Sequence, residues 1–163
     1  MTSLNKSSSQ NEFFVEACRL YEGHEFQEAL RIFHMLAKER HIGAMNNIGA
    51  MYEAGEGVDK SLQKALYWYK KSVRAGGVAP IYNIADLYRK SGNMRLSKKW
   101  FTRAVETKDG DAALELAKLY LCGRSNKNIK EKVKELLVLA TDPNTATEET
   151  IDEAQKLSAS IVR

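Results

Sequence analysis

The sequence predicts an all-α protein: a right-handed α-solenoid of four helix-turn-helix repeats closed by a C-terminal capping helix. Three observations predict it. A helical pattern ending in tyrosine recurs at periods of 31, 36 and 32 residues, and a second helical pattern follows each copy. Two prolines and ten glycines among 163 residues are too few for a turn-rich β-sandwich or barrel. No apolar run reaches the ~18 residues that a membrane-spanning helix needs.

The elements follow in chain order. Residues 1–10 are polar and serine-rich, and read as a disordered tail. They lack the apolar stretch of a secretory signal, so the expected compartment is the cytoplasm. The first helices are placed by Tyr21, Tyr52, Tyr88 and Tyr120. Seven residues before each stand Phe14, Met45, Ile81 and Ala113; four before stand Ala17, Ile48, Ile84 and Leu116. Three before stand Cys18, Gly49, Ala85 and Ala117, all small. Apolar residues at that spacing make one helical face, and the small column lets a second helix approach closely. The second helices carry Ala29, Phe33 and Leu36; Ala65, Tyr69 and Ser72; Ser97, Phe101 and Ala104; and Val133, Leu137 and Ala140. The expected repeats are 11–41, 42–77, 78–109 and 110–141, within a domain over 11–141. A last pattern over 145–162 places Ile151, Ala154, Leu157 and Ile161 on one side, with Thr145 and Glu148 reading as a capping box. It reads as the cap that a repeat array needs at its open end.

These residues resemble the tetratricopeptide repeat, whose pattern is W-x2-L-G-x2-Y followed by A-x3-F. Met45, Ile48, Gly49 and Tyr52 occupy the first part, Ala65 and Tyr69 the second. The second unit resembles more closely the Sel1-like repeat, a longer-turned relative. The stretches Ala44-Met45-Asn46-Asn47-Ile48-Gly49-Ala50-Met51-Tyr52-Glu53-Ala54-Gly55-Glu56-Gly57-Val58-Asp59 and Lys64-Ala65-Leu66-Tyr67-Trp68-Tyr69-Lys70-Lys71-Ser72 carry that likeness. The turn is long in units two and four and short in units one and three; the fourth, over 123–128, lacks the Gly-x-Gly-Val pattern. The resemblance covers 12–141. It implies a non-catalytic protein–protein interaction module: a scaffold, adaptor, regulator or inhibitor. The family is common in bacteria, where it implies scaffolding, secretion-linked regulation or host interaction. Immunity against a cognate toxin is a further reading.

Chemistry-bearing constellations are scarce. His24, His34 and His41 pair with no second ligand at metal-binding spacing, and His41 reads as a capping or solvated residue at a unit junction. Cys18 and Cys122 lie 104 residues apart, in neither a metal nor a redox spacing. Cys18 reads as a buried small hydrophobe. Gly55-Glu56-Gly57 follows no strand and precedes no Gly-Lys-Ser/Thr, so it is a turn and not a phosphate loop. No enzyme, cofactor, metal or small-molecule substrate is expected.

Binding readings fare better. In a stacked array the first helices line the concave side, and residues opposite the packed stripe face that groove. The expected partner-binding residues are Arg19, Asn46, Asn47, Glu53, Tyr82, Asn83, Asp86, Arg89, Lys118 and Leu121, with Val15 and Leu114 beside them. Their mixture of aromatic, amide and both charge signs suits a protein or peptide partner. The two amides Asn47 and Asn83 hold equivalent places, and bonding to a neighbouring helix is their structural alternative.

Charge is unevenly spread. The net charge is +4, yet between Lys60 and Val105 eleven bases face one acid, Asp86. Lys64, Tyr67, Lys71, Arg74, Arg95, Lys98 and Lys99 fall on the convex side of units two and three. That face is the alternative site. It would suit an acidic partner, or, as a different class of function, an RNA or DNA backbone.

Overall fold

The computed structural model describes residues 3–123 and 126–161, with side chains from Ser9 onward. Among the described residues the secondary structure is helical throughout: α1 (Ser3–Glu22), α2 (Phe26–Lys38), α3 (Ile42–Ala54), α4 (Leu62–Arg74), α5 (Pro80–Lys90), α6 (Met94–Val105), α7 (Gly110–Leu121), α8 (Lys127–Ala140) and α9 (Glu148–Ile161). The chain divides into two compact units, residues 1–84 and 85–163. No described helix is long and apolar enough to cross a membrane.

In the first unit α1 packs on α2, α2 on α3 and α3 on α4. The apolar stripes meet there: Ala17, Phe33, Met45, Ile48, Ala65 and Tyr69 are all buried. Gly49 fills the small column. A β-carbon on it would lie 2.6 Å from ring atoms of Tyr69, so only a hydrogen lets α3 and α4 approach this closely. The long turn between them needs its glycines. Gly55 closes α3 in the left-handed region at φ 86°. Gly57 sits at φ 70°, with backbone and side-chain atoms of Phe26 where a β-carbon would go. The Tyr21 hydroxyl donates to Glu56 and fastens this turn to α1, which pushes the phenol's pKa up to about 12.

In the second unit α6 packs on α7, α7 on α8, and α9 on both α7 and α8. Phe101, Ala104, Leu116, Ala117, Val133, Leu137 and Ala140 form its buried interior. Ser97 is buried too, where two other repeats place Ala29 and Ala65, and among the described residues its hydroxyl has no hydrogen-bond partner. Ser72, also buried, donates to the Ile42 carbonyl at 3.0 Å. An unsatisfied buried hydroxyl costs about 1–3 kcal/mol, whereas a made bond contributes about 1. Ser97→Ala is therefore expected to raise the melting temperature, and Ser72→Ala to lower it. Thermal melts of the two variants check this; a fall in both would mean that Ser97 is paired.

Four sequence expectations change. Helix α1 already begins at Ser3, through the stretch read as a disordered tail. No proline or glycine lies between Ser3 and Glu22, so nothing stops the helix from running back toward the N-terminus. The cap of α9 is Thr147, whose Oγ1 accepts from the Thr150 amide at 3.3 Å. Thr145 instead donates its hydroxyl to the Leu139 carbonyl at 3.1 Å, bracing the loop before the helix. The buried line of α9 is thus Thr150 and Ala154, while Ile151, Leu157 and Ile161 are half-buried. Leu114 is buried and not groove-facing, because α7 is packed by α6, α8 and α9. Cys18 is half-buried, not buried; burial pushes its thiol pKa up, which suits packing and not nucleophilic chemistry. The fourth turn includes Arg124 and Ser125, which lie outside the described residues.

His41 caps α3. Its Nδ1 accepts from the Ala44 amide at 3.2 Å, and its ring lies 4.5 Å from that of Phe14. Burial lowers its pKa below the ordinary 6.5. The folded state therefore favours neutral imidazole, so this contribution to stability is full above pH 6.5 and is lost as pH falls through the lowered value. His34 is lowered as well, by burial and by the charges of Lys38 and Lys71. Thermal melts across this range are expected to show acid destabilisation. His41→Asn, which keeps an N-cap acceptor but cannot titrate, is expected to flatten part of it. An unchanged acid slope would count against the cap as its source.

Candidate interaction surfaces

In the first unit the amides anticipated as partner-binding groups bond to neighbouring helices. Asn47 Nδ2 donates to Cys18 Sγ at 3.7 Å, and Asn83 Nδ2 donates to Asn46 Oδ1 at 3.1 Å. Glu53 accepts from the Tyr69 hydroxyl at 2.9 Å. Arg19 pairs with Glu16 on the exposed face of α1, near the exposed Val15. Tyr82 is half-buried.

In the second unit the anticipated Asp86, Arg89 and Lys118 join Lys90, Glu115 and Glu153 in a ladder of alternating charge. Lys90 Nζ lies 2.8 Å from Asp86, and the Arg89 guanidinium lies 2.6 Å from the same carboxylate. Arg89 also approaches Glu115 at 3.7 Å. Lys118 then joins Glu115 at 2.9 Å to Glu153 of α9 at 2.7 Å. Burial raises the Asp86 pKa, but hydrogen bonds from Lys90 and Arg89, with their charges, outweigh it and hold the carboxyl below its usual value. Burial likewise opposes the charge on Lys118, and Glu153 and Glu115 outweigh it and raise its pKa. Leu121 is half-buried beside the ladder's helix end.

Three of the six basic residues of the alternative face, Lys64, Lys71 and Lys98, stand over aromatic rings. On α4, Lys71 Nζ lies 4.5 Å from the centre of the Trp68 ring, and Lys64 Nζ lies 5.1 Å from that of Tyr52. Tyr67 is exposed, edge-on to Trp68, and Arg74 is exposed at the helix end. On α6, Lys98 lies 5.0 Å from the Tyr120 ring, while Arg95 and Lys99 are solvent-exposed. Arg103 lies over Trp100 at 5.2 Å. Sequence reasoning missed Lys90, Glu115 and Glu153 as members of the ladder. The i,i+3 pairing of Glu115 with Lys118 was legible in the spacing. The Arg89–Glu115 approach was not, since it depends on how two helices are rotated against each other.

Among the described residues no group of three His, Cys, Asp or Glu side chains is disposed to hold a metal ion. Paired helices, each burying one stripe, with charged and amide side chains on the remaining faces, define an all-α helical-repeat protein. The sequence matches the Sel1 repeat over residues 42–77 and 82–106. Over those residues the chain is similar to the Sel1-like repeat family. It is 30% identical over 104 residues to the putative Sel1-like repeat-containing protein L21 of Acanthamoeba polyphaga mimivirus, covering 64% of this chain and 19% of that protein. Its fold is similar to the crystal structure of a Sel1 repeat protein from Oxalobacter formigenes (TM-score 0.69, 23% identity, 78% of this chain and 54% of that one). It is also similar to c5321, a protective antigen present in uropathogenic Escherichia coli strains and displaying an SLR fold (TM-score 0.63, 21% identity, 70% of this chain and 25% of that one). The chain thus spans about a fifth of the viral relative and about half and a quarter of the two structures. Sel1 repeats generally mediate protein–protein interaction, as scaffolds that are typically non-catalytic.

Proposed function

We propose that this chain is a non-catalytic adaptor or regulator that holds a partner protein or peptide against its first helices. One observation carries the reading. Arg89 is held by Asp86 at 2.6 Å, yet its side chain keeps 41% of its surface exposed. An arginine fixed in one rotamer before binding loses little entropy when a partner arrives. Arginine and tyrosine are also the usual anchors of an interface. Tyr82 stands two helical turns before Arg89 on α5; within the second unit Lys118 on α7 meets Arg89 at Glu115, and in the first unit Arg19 is a further exposed arginine on α1. The bonded amides Asn46, Asn47 and Asn83, with Glu53, serve chiefly to set the helices that present these anchors, and Leu121 adds apolar surface.

The test begins with a partner recovered by affinity capture. Tyr82→Ala with Arg89→Ala is expected to weaken that partner's binding by at least about tenfold, equivalent to 1.4 kcal/mol, with helicity unchanged. Full affinity in the double variant, measured by calorimetry, would rule out this surface.

A further inference from the structure

Apart from the first-helix faces, a cluster on α2 and α4 gathers cations and aromatic rings, and among the described residues no ion pair ties its two lysines to a carboxylate. His34 and Lys38 stand one turn apart on α2. Across from them on α4 stand Trp68 and Lys71, with Tyr67 beside them. The His34 and Trp68 rings are edge to face at 5.2 Å, and Lys71 Nζ sits over the same indole. Tyr67 leans its ring edge-on to Trp68 at 5.4 Å while remaining 56% exposed. Among the described residues neither Lys38 nor Lys71 lies within ion-pair distance of an acid in the way that Arg31 does with Glu28 on the same helix α2. Helix α4 itself contains no acid between Leu62 and Arg74. Like charges held together raise one another's energy, and a carboxylate brought between them relieves it. The lowered pKa of His34, caused by burial and then by Lys38 and Lys71, reports the same crowding.

We propose that the Lys38–His34–Trp68–Lys71 face, with Tyr67 at its edge, is a second docking surface, and that its occupant is an acidic segment of a protein. Two features favour carboxylates over nucleic acid. Lys71 and Lys64 each occupy one face of Trp68 and Tyr52, and both rings are half-buried, so they offer little free π-face on which bases stack. Tyr67 adds the exposed apolar area against which a side chain next to the carboxylates can rest. The surface is distinct from the first-helix faces, and its occupant need not be the partner held there.

The test uses the full chain carrying Trp100→Phe, so that Trp68 is the lone fluorophore among the tryptophans. The probe is a short synthetic peptide alternating glutamate and leucine, titrated by tryptophan fluorescence. Binding is expected to perturb Trp68 emission. Lys38→Glu with Lys71→Glu is expected to weaken that binding at least about tenfold. A charge-matched control, Lys127→Glu with Lys130→Glu on α8, should weaken it far less, and Tyr82→Ala with Arg89→Ala should leave it unchanged. Circular dichroism confirms that each variant is folded. The proposal is overturned if the control pair weakens binding as much as the cluster pair. It is equally overturned if a thymidine oligonucleotide of equal charge binds more tightly than the peptide, or if the peptide leaves Trp68 emission unmoved. Sedimentation showing that a second copy of the chain occupies the face, in preference to the peptide, would also overturn it.

Discussion

Gly49→Ala is expected to lower the melting temperature by roughly 4–8 °C, despite placing a better helix former inside a helix. Glycine to alanine in a helix interior gains up to about 1 kcal/mol of propensity. Against that stands the contact with Tyr69. The added methyl carbon would lie 2.6 Å from two ring carbons and 3.1 Å from a third. The ring cannot swing aside cheaply, because it is 1% exposed and its hydroxyl donates to Glu53 at 2.9 Å. Overpacking of this kind costs about 3 kcal/mol at its upper range, so the clash wins by about 2. At this chain length each kcal/mol corresponds to about 2–4 °C. Combining the change with Tyr69→Leu is expected to recover part of the loss, as a double-mutant cycle between touching residues should. Thermal melts of the four proteins measure it. An unchanged melting temperature in Gly49→Ala would mean that α3 and α4 do not approach through this column.

The features legible in the sequence were those set by spacing along one helix. Ala29, Phe33, Ala65, Tyr69, Phe101, Ala104, Val133 and Leu137 stand three or four residues apart within their helices, and every one is buried. The small column was legible for the same reason, at Gly49, Ala85 and Ala117. Features that depend on helix rotation were not legible. The amides at Asn47 and Asn83 read equally well as ligands for an extended peptide or as inter-helix bonds, and only the packed helices distinguish the two. The Lys38–His34–Trp68–Lys71 cluster joins α2 to α4, and no periodicity in either helix announces it. The register of α9 was misread because its apolar residues make two overlapping lines. The N-cap decides between them: the third and seventh residues after His41, Asp109 and Thr147 are Ala44 and Ile48, Ala112 and Leu116, Thr150 and Ala154, all buried.

That register makes α9 the counterpart of a first helix, and it sets the expected result of removing it. The eighth and eleventh positions after the cap hold Gly49 and Tyr52 in α3, and Ala117 and Tyr120 in α7, but Gln155 and Ser158 in α9. Its inward side continues the repeat, while the side that a following helix would cover is polar. A repeat array ends in this way, with one face matched to its neighbour and the other to water. The loop and helix are tied to α7 at several points. The Gly110 amide donates to the Thr145 carbonyl at 2.7 Å, and a β-carbon on Gly110 would strike Ala146 at 2.7 Å. Thr147 donates to Asp111 through its amide and its hydroxyl, both at 3.1 Å. Glu153 closes the charge ladder on Lys118. Deleting residues 145–163 strips these bonds and bares the surfaces of α7 and α8 against which α9 packs, with Leu137 among the residues facing it. Exposed apolar edges of repeat arrays associate, so the truncated chain is expected to scatter light and to unfold at a markedly lower temperature. Two milder variants separate loss of the anchor from loss of the surface. Gly110→Val, which pushes the loop away, should destabilise without adding apolar area at the edge. Ala154→Glu, which forces a carboxylate into a buried contact, should release α9 and reproduce the aggregation. A truncated protein that stays monomeric and melts at the parent temperature would show that α9 covers nothing that the repeats need covered.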